Sequence, residues 1–350
     1  MCANLTRPEA ESAALAAPHP MRVLLICYIY PPEVAPAGAM ALELAEHLAA
    51  QGHQVTVLTA FPNHPHGVVF EGYRRRWREW EQREPFGVLR VWHTISPKRS
   101  AVQRLLFYAS FALSTLVHGW AVPRPDIIFG ITTPLVGGLA GLLLARLRRS
   151  RFVHVVWDVY PEAAIQLGVL RPGRLADLLR RLDTWVCRCS DMVAVLSQGL
   201  RNVLLTRRLP EERVEVLPIW IDADEIRPLP RANAWRAEQQ IDAGAFVVLY
   251  AGTIGLISGA EFVVDVAQRV GERDADVLFL LVGEGLVKDR IAQEAARRGL
   301  RNIRLLPFQP RERLAEVQAT ADVSLVTLLP GQGLTSVPSK VLGYMSGARA

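Results

Sequence analysis

Asp158 and Glu162 close the segment FVHVVWDVYPE, residues 152–162, where a run rich in β-branched residues ends in two carboxylates. A parallel strand of an open α/β sheet delivers whatever follows it to the ligand-binding edge, so this pair can hydrogen-bond sugar hydroxyls or do acid/base work. Asp158 can equally do no more than cap the next turn. A second stretch with chemical promise is VVLYAGTIGLISGAEFVV, residues 247–264. It reads as a short apolar strand, a turn Gly252-Thr253-Ile254-Gly255, and a helix opening near Ser258-Gly259. A helix behind a glycine turn offers unpaired N–H groups and the positive end of its dipole to a phosphate. The same pattern also serves as a plain strand-to-helix connection.

Two runs of α/β alternation must position these residues. With 350 residues, half of them apolar, the chain suits two domains that each bury a core. The first twenty residues lack an apolar stretch of signal-peptide length and read as a disordered extension, or as an over-long start ahead of Met21. Residues 23–28 form a continuous apolar run, as expected of a buried parallel strand. A proline-rich loop follows, then Ala41, Leu44, Ala45 and Leu48 at helical spacing, then a strand at 54–59. This is a βαβ unit with a right-handed crossover. Its loop holds prolines and no GxGxxG, which argues against a dinucleotide-binding enzyme. Gly38, near the head of the helix, can let a ligand approach the backbone or can simply satisfy loop geometry.

Residues 60–100 read as polar and irregular, with His64 and His66 between prolines and the basic cluster Arg74-Arg75-Arg76-Trp77-Arg78. Residues 105–122, LLFYASFALSTLVHGWAV, carry no charged side chain and are about long enough to reach the lower limit for crossing a bilayer. Their polar residues favour a helix buried in the fold or lying in a membrane interface, flanked by Lys98, Arg99, Arg104 and Arg124. Residues 175–189 are a basic amphipathic helix, and the proline-bearing stretch 219–231 reads as a hinge. A second alternation begins at residue 246, with strands expected at 247–250, 277–282, 303–306 and 323–328.

The formal charge of +6 favours anionic partners: sugar nucleotides, lipid phosphates or an acidic membrane surface. No nucleic-acid recognition motif is present. Cys2, Cys27, Cys187 and Cys189 form no CxxC pair and have no ligand-spaced histidines, so neither a zinc site nor a disulfide framework is expected, and a reducing cytoplasm is the simplest home.

The order of parts, a proline-loop βα start, WDVYPE, a hinge, then YAG-turn, LVGEG, LPFQP and VPSKVLGYM, resembles the GT-B glycosyltransferases, family four in particular. More narrowly it is similar to the branch that builds bacterial polysaccharides and O-antigens, the colanic-acid type. The likeness runs from Met21 to the end. It implies an α/β fold of two Rossmann-like, doubly wound parallel-sheet domains facing a cleft: an acceptor domain at 21–218, a hinge at 219–245 and a nucleotide-sugar domain at 246–350.

The resemblance further implies a retaining transferase, without a metal, moving a hexose or N-acetylhexosamine from a nucleotide sugar, with a UDP-sugar mildly preferred. The acceptor would be polyprenyl-diphosphate-linked or a saccharide, at the inner face of the plasma membrane. Gly252, Thr253, Gly255 and Ser258 would lie beside the donor diphosphate, and Gly283, Glu284, Gly285, Pro307 and Phe308 would flank the base. Pro338, Ser339 and Lys340 would open a helix toward the ribose and phosphates. Asp158 and Glu162 would be catalytic, with Gly38 and His64 on the acceptor side. The chain departs from many family members in having Thr253 and Ser258 where they place Arg and Lys, and Thr335 and Gly343 where they place two glutamates. The second domain is expected to be cut short, as a fragment or a truncated gene product. A sugar-nucleotide epimerase and a non-catalytic nucleotide- or membrane-binding relative are the alternative readings.

Overall fold

The computed structural model describes residues 19–33, 35–64, 67–97, 101–132, 135–166, 168, 170–255, 258–274, 276–328 and 337–348. Residues 1–18, His66, Lys98, Arg99 and Thr335 lie outside the described residues.

The first half runs β1 (Arg22–Ile26), α1 (Pro36–Ala50), β2 (Gln54–Ala60), β3 (Arg78–Arg83), β4 (Phe86–Val91), α2 (Ala101–His118), β5 (Ile127–Thr132) and α3 (Leu135–Arg148). It continues with β6 (Arg151–Val156), α4 (Glu162–Gln166), α5 (Arg174–Cys189), β7 (Met192–Val195), α6 (Gln198–Leu205) and β8 (Val214–Val216). These strands form one eight-stranded sheet, ordered β3-β4-β2-β1-β5-β6-β7-β8, in which only β3 runs antiparallel to its neighbour.

Both faces of β1 are covered, which is why it reads as an unbroken apolar run. Leu24 and Ile26 enter the core with Phe111, Leu142 and Phe152, while Val23 and Leu25 enter the opposite core with Ala41 and Ala45. Helix α1 opens on a proline at its first turn, where the missing N–H is no loss.

The stretch expected to be irregular at 60–100 instead contains a β3–β4 hairpin at the sheet edge. β3, REWEQR, is polar and largely exposed and shows no strand pattern, whereas β4 carries Arg90, fully buried, whose guanidinium is paired to Glu81 of β3 and also donates to Ala60 O at 3.1 Å and Pro31 O at 2.6 Å. The apolar run at 105–122 belongs to α2 and a following 3-10 turn at Gly119–Ala121, and no described helix is long and apolar enough to cross a membrane. One side of α2 is buried through Phe111, Ala112 and Thr115, and the other exposes Leu105, Leu106, Leu113 and Val117.

The second half comprises α7 (Ala234–Glu238), β9 (Phe246–Ala251), α8 (Phe262–Gly271), β10 (Val277–Val282), α9 (Lys288–Arg297), β11 (Ile303–Leu306), α10 (Leu314–Ala319), β12 (Val323–Ser324) and α11 (Lys340–Ser346). Its four-stranded parallel sheet has the order β11-β10-β9-β12. Each sheet therefore reverses direction once beside its first strand, between β1 and β5 and between β9 and β12. At such a point the loops at the carboxyl edge diverge and leave a crevice.

Candidate functional site

In the second domain the loops after β9, β10 and β11 are joined edge to edge. Gly252 N–H donates to Val282 O at 2.9 Å, Ile254 N–H to Glu284 O at 2.9 Å, and Gly283 N–H to Leu306 O at 3.0 Å. The approach is so close that a Cβ on Gly283 would lie 1.9 Å from Gly252 O, and one on Gly285 would lie 2.3 Å from Ile254 O. These glycines thus serve loop-to-loop contact.

The helix expected directly behind the glycine turn starts later, at Phe262. The turn is accordingly separated from α8, and two of its amides are already used, leaving Thr253 and Gly255 outside that ladder. Thr253 is exposed. The Ser258 hydroxyl donates to Gly255 O at 2.7 Å and accepts from Ala260 N–H at 3.3 Å, which fixes the turn and occupies the hydroxyl proton. Glu284 pairs with Lys288 at 2.6 Å, and Lys288 also donates to Leu306 O at 3.3 Å. Phe308 is half exposed beside Pro307, whose carbonyl accepts from Gln309.

Lys340 opens α11 after Pro338 and Ser339, and its Nζ sits 3.6 Å from the centroid of the Tyr250 ring. A Cβ on Gly252 would lie 3.5 Å from Lys340 Cε, so the ammonium stands directly against the glycine turn. Burial pushes its pKa down to about 8. Among the described residues no carboxylate pairs with it. Tyr344, one turn further along α11, accepts from Ala251 N–H at 2.7 Å and ties the helix to the end of β9. A desolvated cation over an aromatic face, at the reversal point of a parallel sheet, is suited to an anionic ligand.

At the carboxyl edge of the first sheet, Asp158 follows β6 close enough to Tyr28 that its charge helps raise the phenol pKa, after the larger effect of burial. Tyr28 packs edge-on against Phe107 at 5.7 Å and Tyr108 at 6.1 Å. Glu162 requires a correction. Its Oε1 accepts from Arg180 at 2.7 Å and its Oε2 from Arg207 at 2.7 Å, so both oxygens are bound in a strut between α4, α5 and the segment after α6. Both oxygens are thus engaged in holding the fold together.

Gly38 is buried, and a Cβ there would lie 3.3 Å from both Ile29 Cγ2 and Tyr30 Cα, so its smallness seats α1 on the loop after β1. His64 is exposed, and its backbone N–H donates to Glu33 Oε1 at 2.8 Å. Glu33, 3% exposed, also accepts from Asn63 N–H at 2.9 Å and Tyr30 N–H at 3.2 Å. It staples the loops after β1 and β2. Asn63 in turn lies 3.1 Å from His93 Nε2, and burial lowers the His93 pKa to about 4.

The two edges come together through Glu43 of α1. Its Oε2 accepts from Trp220 Nε1 at 2.7 Å and its Oε1 pairs with Arg311 at 3.1 Å, while Arg311 also holds Glu225 at 2.6 Å. Val337, just before the Lys340 segment, packs on the first-domain cluster of Met40, Val156 and Val159. The segment that leads into Lys340 is thereby set against the cluster containing Val159, the residue after Asp158.

Comparison with known proteins agrees with this geometry. The family model described as "Glycosyl transferase 4-like domain" matches residues 37–220, and "Glycosyl transferases group 1" matches residues 232–336. The chain is 30% identical over 336 residues to WcaI of Escherichia coli (strain K12), named as a colanic acid biosynthesis glycosyl transferase, covering 93% of this chain and 81% of that one. The chain is a GT-B glycosyltransferase of the family four type. Among solved structures, this glycosyltransferase superposes on sucrose-phosphate synthase from Thermosynechococcus elongatus with a TM-score of 0.69 at 18% identity, covering 94% of this chain and 80% of that one. HepE of Anabaena, in complex with UDP and glucose, gives a TM-score of 0.65 at 16% identity, covering 94% and 79%. At such identities the likeness concerns the fold.

Two charged groups of these loops carry no signal in the sequence pattern. Glu33 lay in a loop where only prolines drew attention, and Lys288 follows LVGEG by three positions without any motif of its own. Lys288, at the head of α9, reaches the end of β11 through Leu306 O.

Proposed function

We propose that this glycosyltransferase moves a hexose or N-acetylhexosamine from a nucleotide sugar, with retention of configuration and without a divalent cation, in the assembly of a cell-surface polysaccharide. The observation that carries the reading is the Lys340 ammonium, desolvated over Tyr250 and set against Gly252 with no described carboxylate beside it. A fixed cation neutralises a diphosphate as it leaves, and that charge stabilisation supplies much of the rate in such a transfer. Asp158 faces the sugar from the opposite side of the cleft. WcaI's name supports the polysaccharide assignment, and UDP with glucose in HepE supports a UDP-sugar.

The acceptor is proposed to be linked to a polyprenyl diphosphate at the inner face of the plasma membrane. The outer side of α2, with Leu105, Leu113 and Val117 at helical spacing, offers an apolar face for that surface. Next to it Trp120 is stacked under Arg148 at 4.9 Å. Thermal-shift titration with UDP, GDP, UDP-N-acetylglucosamine and GDP-mannose tests the donor reading. Saturation at a hundred times Kd raises stability by about 2.7 kcal/mol. A response to one nucleotide family is expected, and a cooperatively melting protein that answers none of them rules the donor site out. Full transfer activity in Asp158→Asn would remove that residue from the chemistry.

A further inference from the structure

His154 of β6 is fully buried, and neither of its ring nitrogens has a hydrogen-bond partner. Buried imidazoles nearly always satisfy both nitrogens, so an orphaned pair points to a partner that the polypeptide does not supply. Two more ligating side chains meet it from α5. Asp183 is 3% exposed and Cys187 1% exposed, and one ligand atom from each of the three residues lies within 4.8 Å of the others. Asp183 and Cys187 are four apart, hence on one face of the helix. That face is turned inward: Ala176, Asp183, Val186 and Cys187 are the buried residues of α5.

We propose that His154, Asp183 and Cys187 bind a divalent cation of the zinc class, which fastens α5 to β6 just ahead of the Asp158 loop. One imidazole, one thiolate and one carboxylate make a borderline-soft donor set that suits Zn²⁺ or Co²⁺ and not Mg²⁺ or Ca²⁺. Zinc–ligand bonds of about 2.0–2.3 Å place neighbouring donors roughly 3.5 Å apart, so closing the site needs side-chain shifts of about 1 Å and no backbone movement. The charges balance, since carboxylate and thiolate together offset a dication once the thiol proton has left to solvent.

Arg207 engages Asp183 Oδ2 at 2.6 Å, and a carboxylate has two oxygens, so guanidinium and cation can share it. No CxxC-type spacing announces the site, because its ligands come from a strand and the helix packed over it.

Titration of the chelator-treated full chain with Co²⁺ tests the proposal. The expected result is saturation at one equivalent, with the intense near-ultraviolet band of a cobalt thiolate, together with a higher Tm in Zn²⁺. Cys187→Ser, nearly isosteric, should abolish the band, and Cys189→Ser should leave it intact. His154→Gln should weaken binding on the order of a hundredfold. A folded wild-type chain with no cobalt-thiolate band overturns the proposal, as does a band that survives Cys187→Ser. The wild-type titration decides the matter even where His154→Gln fails to fold.

Discussion

The loop after the first strand of each sheet meets a charged side chain, Glu33 in one and Lys340 in the other, and the two charges have opposite sign and opposite completeness. After β1, the buried Glu33 carboxylate gathers three backbone N–H groups, from Tyr30, Asn63 and His64. After β9, the Lys340 ammonium rests on an aromatic face with no described counter-charge. The first loop is electrostatically finished by the protein itself, and what it offers a ligand is shape. The second keeps a desolvated cation whose cost is relieved only by an incoming anion. Under the proposed function that asymmetry favours the second domain for the diphosphate.

The largest effect is expected where the second loop is joined to its neighbour. Gly283→Ala puts a methyl 1.9 Å from Gly252 O and 2.9 Å from Gly252 C, main-chain atoms of a residue that is itself bonded to Val282 O. Denaturant unfolding should show a loss of about 3 kcal/mol. A near-neutral result would mean that the β9 and β10 loops are not locked, and the claim that Lys340 faces a rigid turn would fall with it.

Next comes Lys340→Met, for which the two readouts should move in opposite directions. Loss of a charge-assisted contact should weaken nucleoside-diphosphate binding roughly 10- to 100-fold. The folded pKa of about 8 lies below the ordinary lysine value of 10.5, so this group stabilises the fold fully above pH 10.5 and that contribution is lost as pH falls through 8. At pH 7 the charged lysine is a burden, and the variant without ligand should melt at a higher temperature, by an amount worth about 1–3 kcal/mol. Wild-type affinity for the diphosphate should decline as pH rises past 8, a dependence that Lys340→Met removes. A variant that binds as well as wild type would break the comparison outright.

Glu33→Gln sharpens the other side. Its Oε1 accepts two N–H groups and its Oε2 one, so an amide can keep one set only by turning its NH₂ toward the other donors. A loss of about 1–3 kcal/mol is expected, with faster amide exchange at Tyr30, Asn63 and His64 and little change in nucleotide affinity. Weakened nucleotide binding would show that the first loop also reads the donor.

The fold was legible wherever burial is two-sided or periodic. The apolar runs of β1 and β10 and the amphipathic pattern of α5 mark their own elements, and the resemblance supplied the order of domains. The β3–β4 hairpin was not legible, because β3, REWEQR, is polar and largely exposed and carries no strand pattern until its partner β4, FGVLRV, is known to lie beside it. At the candidate site, VPSK points to Lys340, and WDVYPE points to Glu162 beside Asp158. Next to Asp158 it reads as half of a catalytic pair, and only the distant Arg180 and Arg207 reveal it as a strut. Sequence proximity shows which groups can act, and long-range pairing decides which remain available.

Ser258 gives the smallest expected effect and the finest test of that rule. The resemblance places it beside the diphosphate, where a hydroxyl would stand in for the charge that many relatives carry. In the folded chain the hydroxyl donates to Gly255 O at 2.7 Å and accepts from Ala260 N–H at 3.3 Å, and the Ser258 carbonyl accepts from Thr327 Oγ1 at 2.5 Å. A serine whose single proton is committed to the backbone cannot also donate to phosphate unless the turn opens. Ser258→Ala should therefore cost roughly 1 kcal/mol in stability and change diphosphate affinity by less than about threefold. A tenfold loss of affinity at unchanged stability would show that the hydroxyl leaves Gly255 when donor binds, and the second loop would then be one that reorganises around its anion instead of one that waits for it preformed.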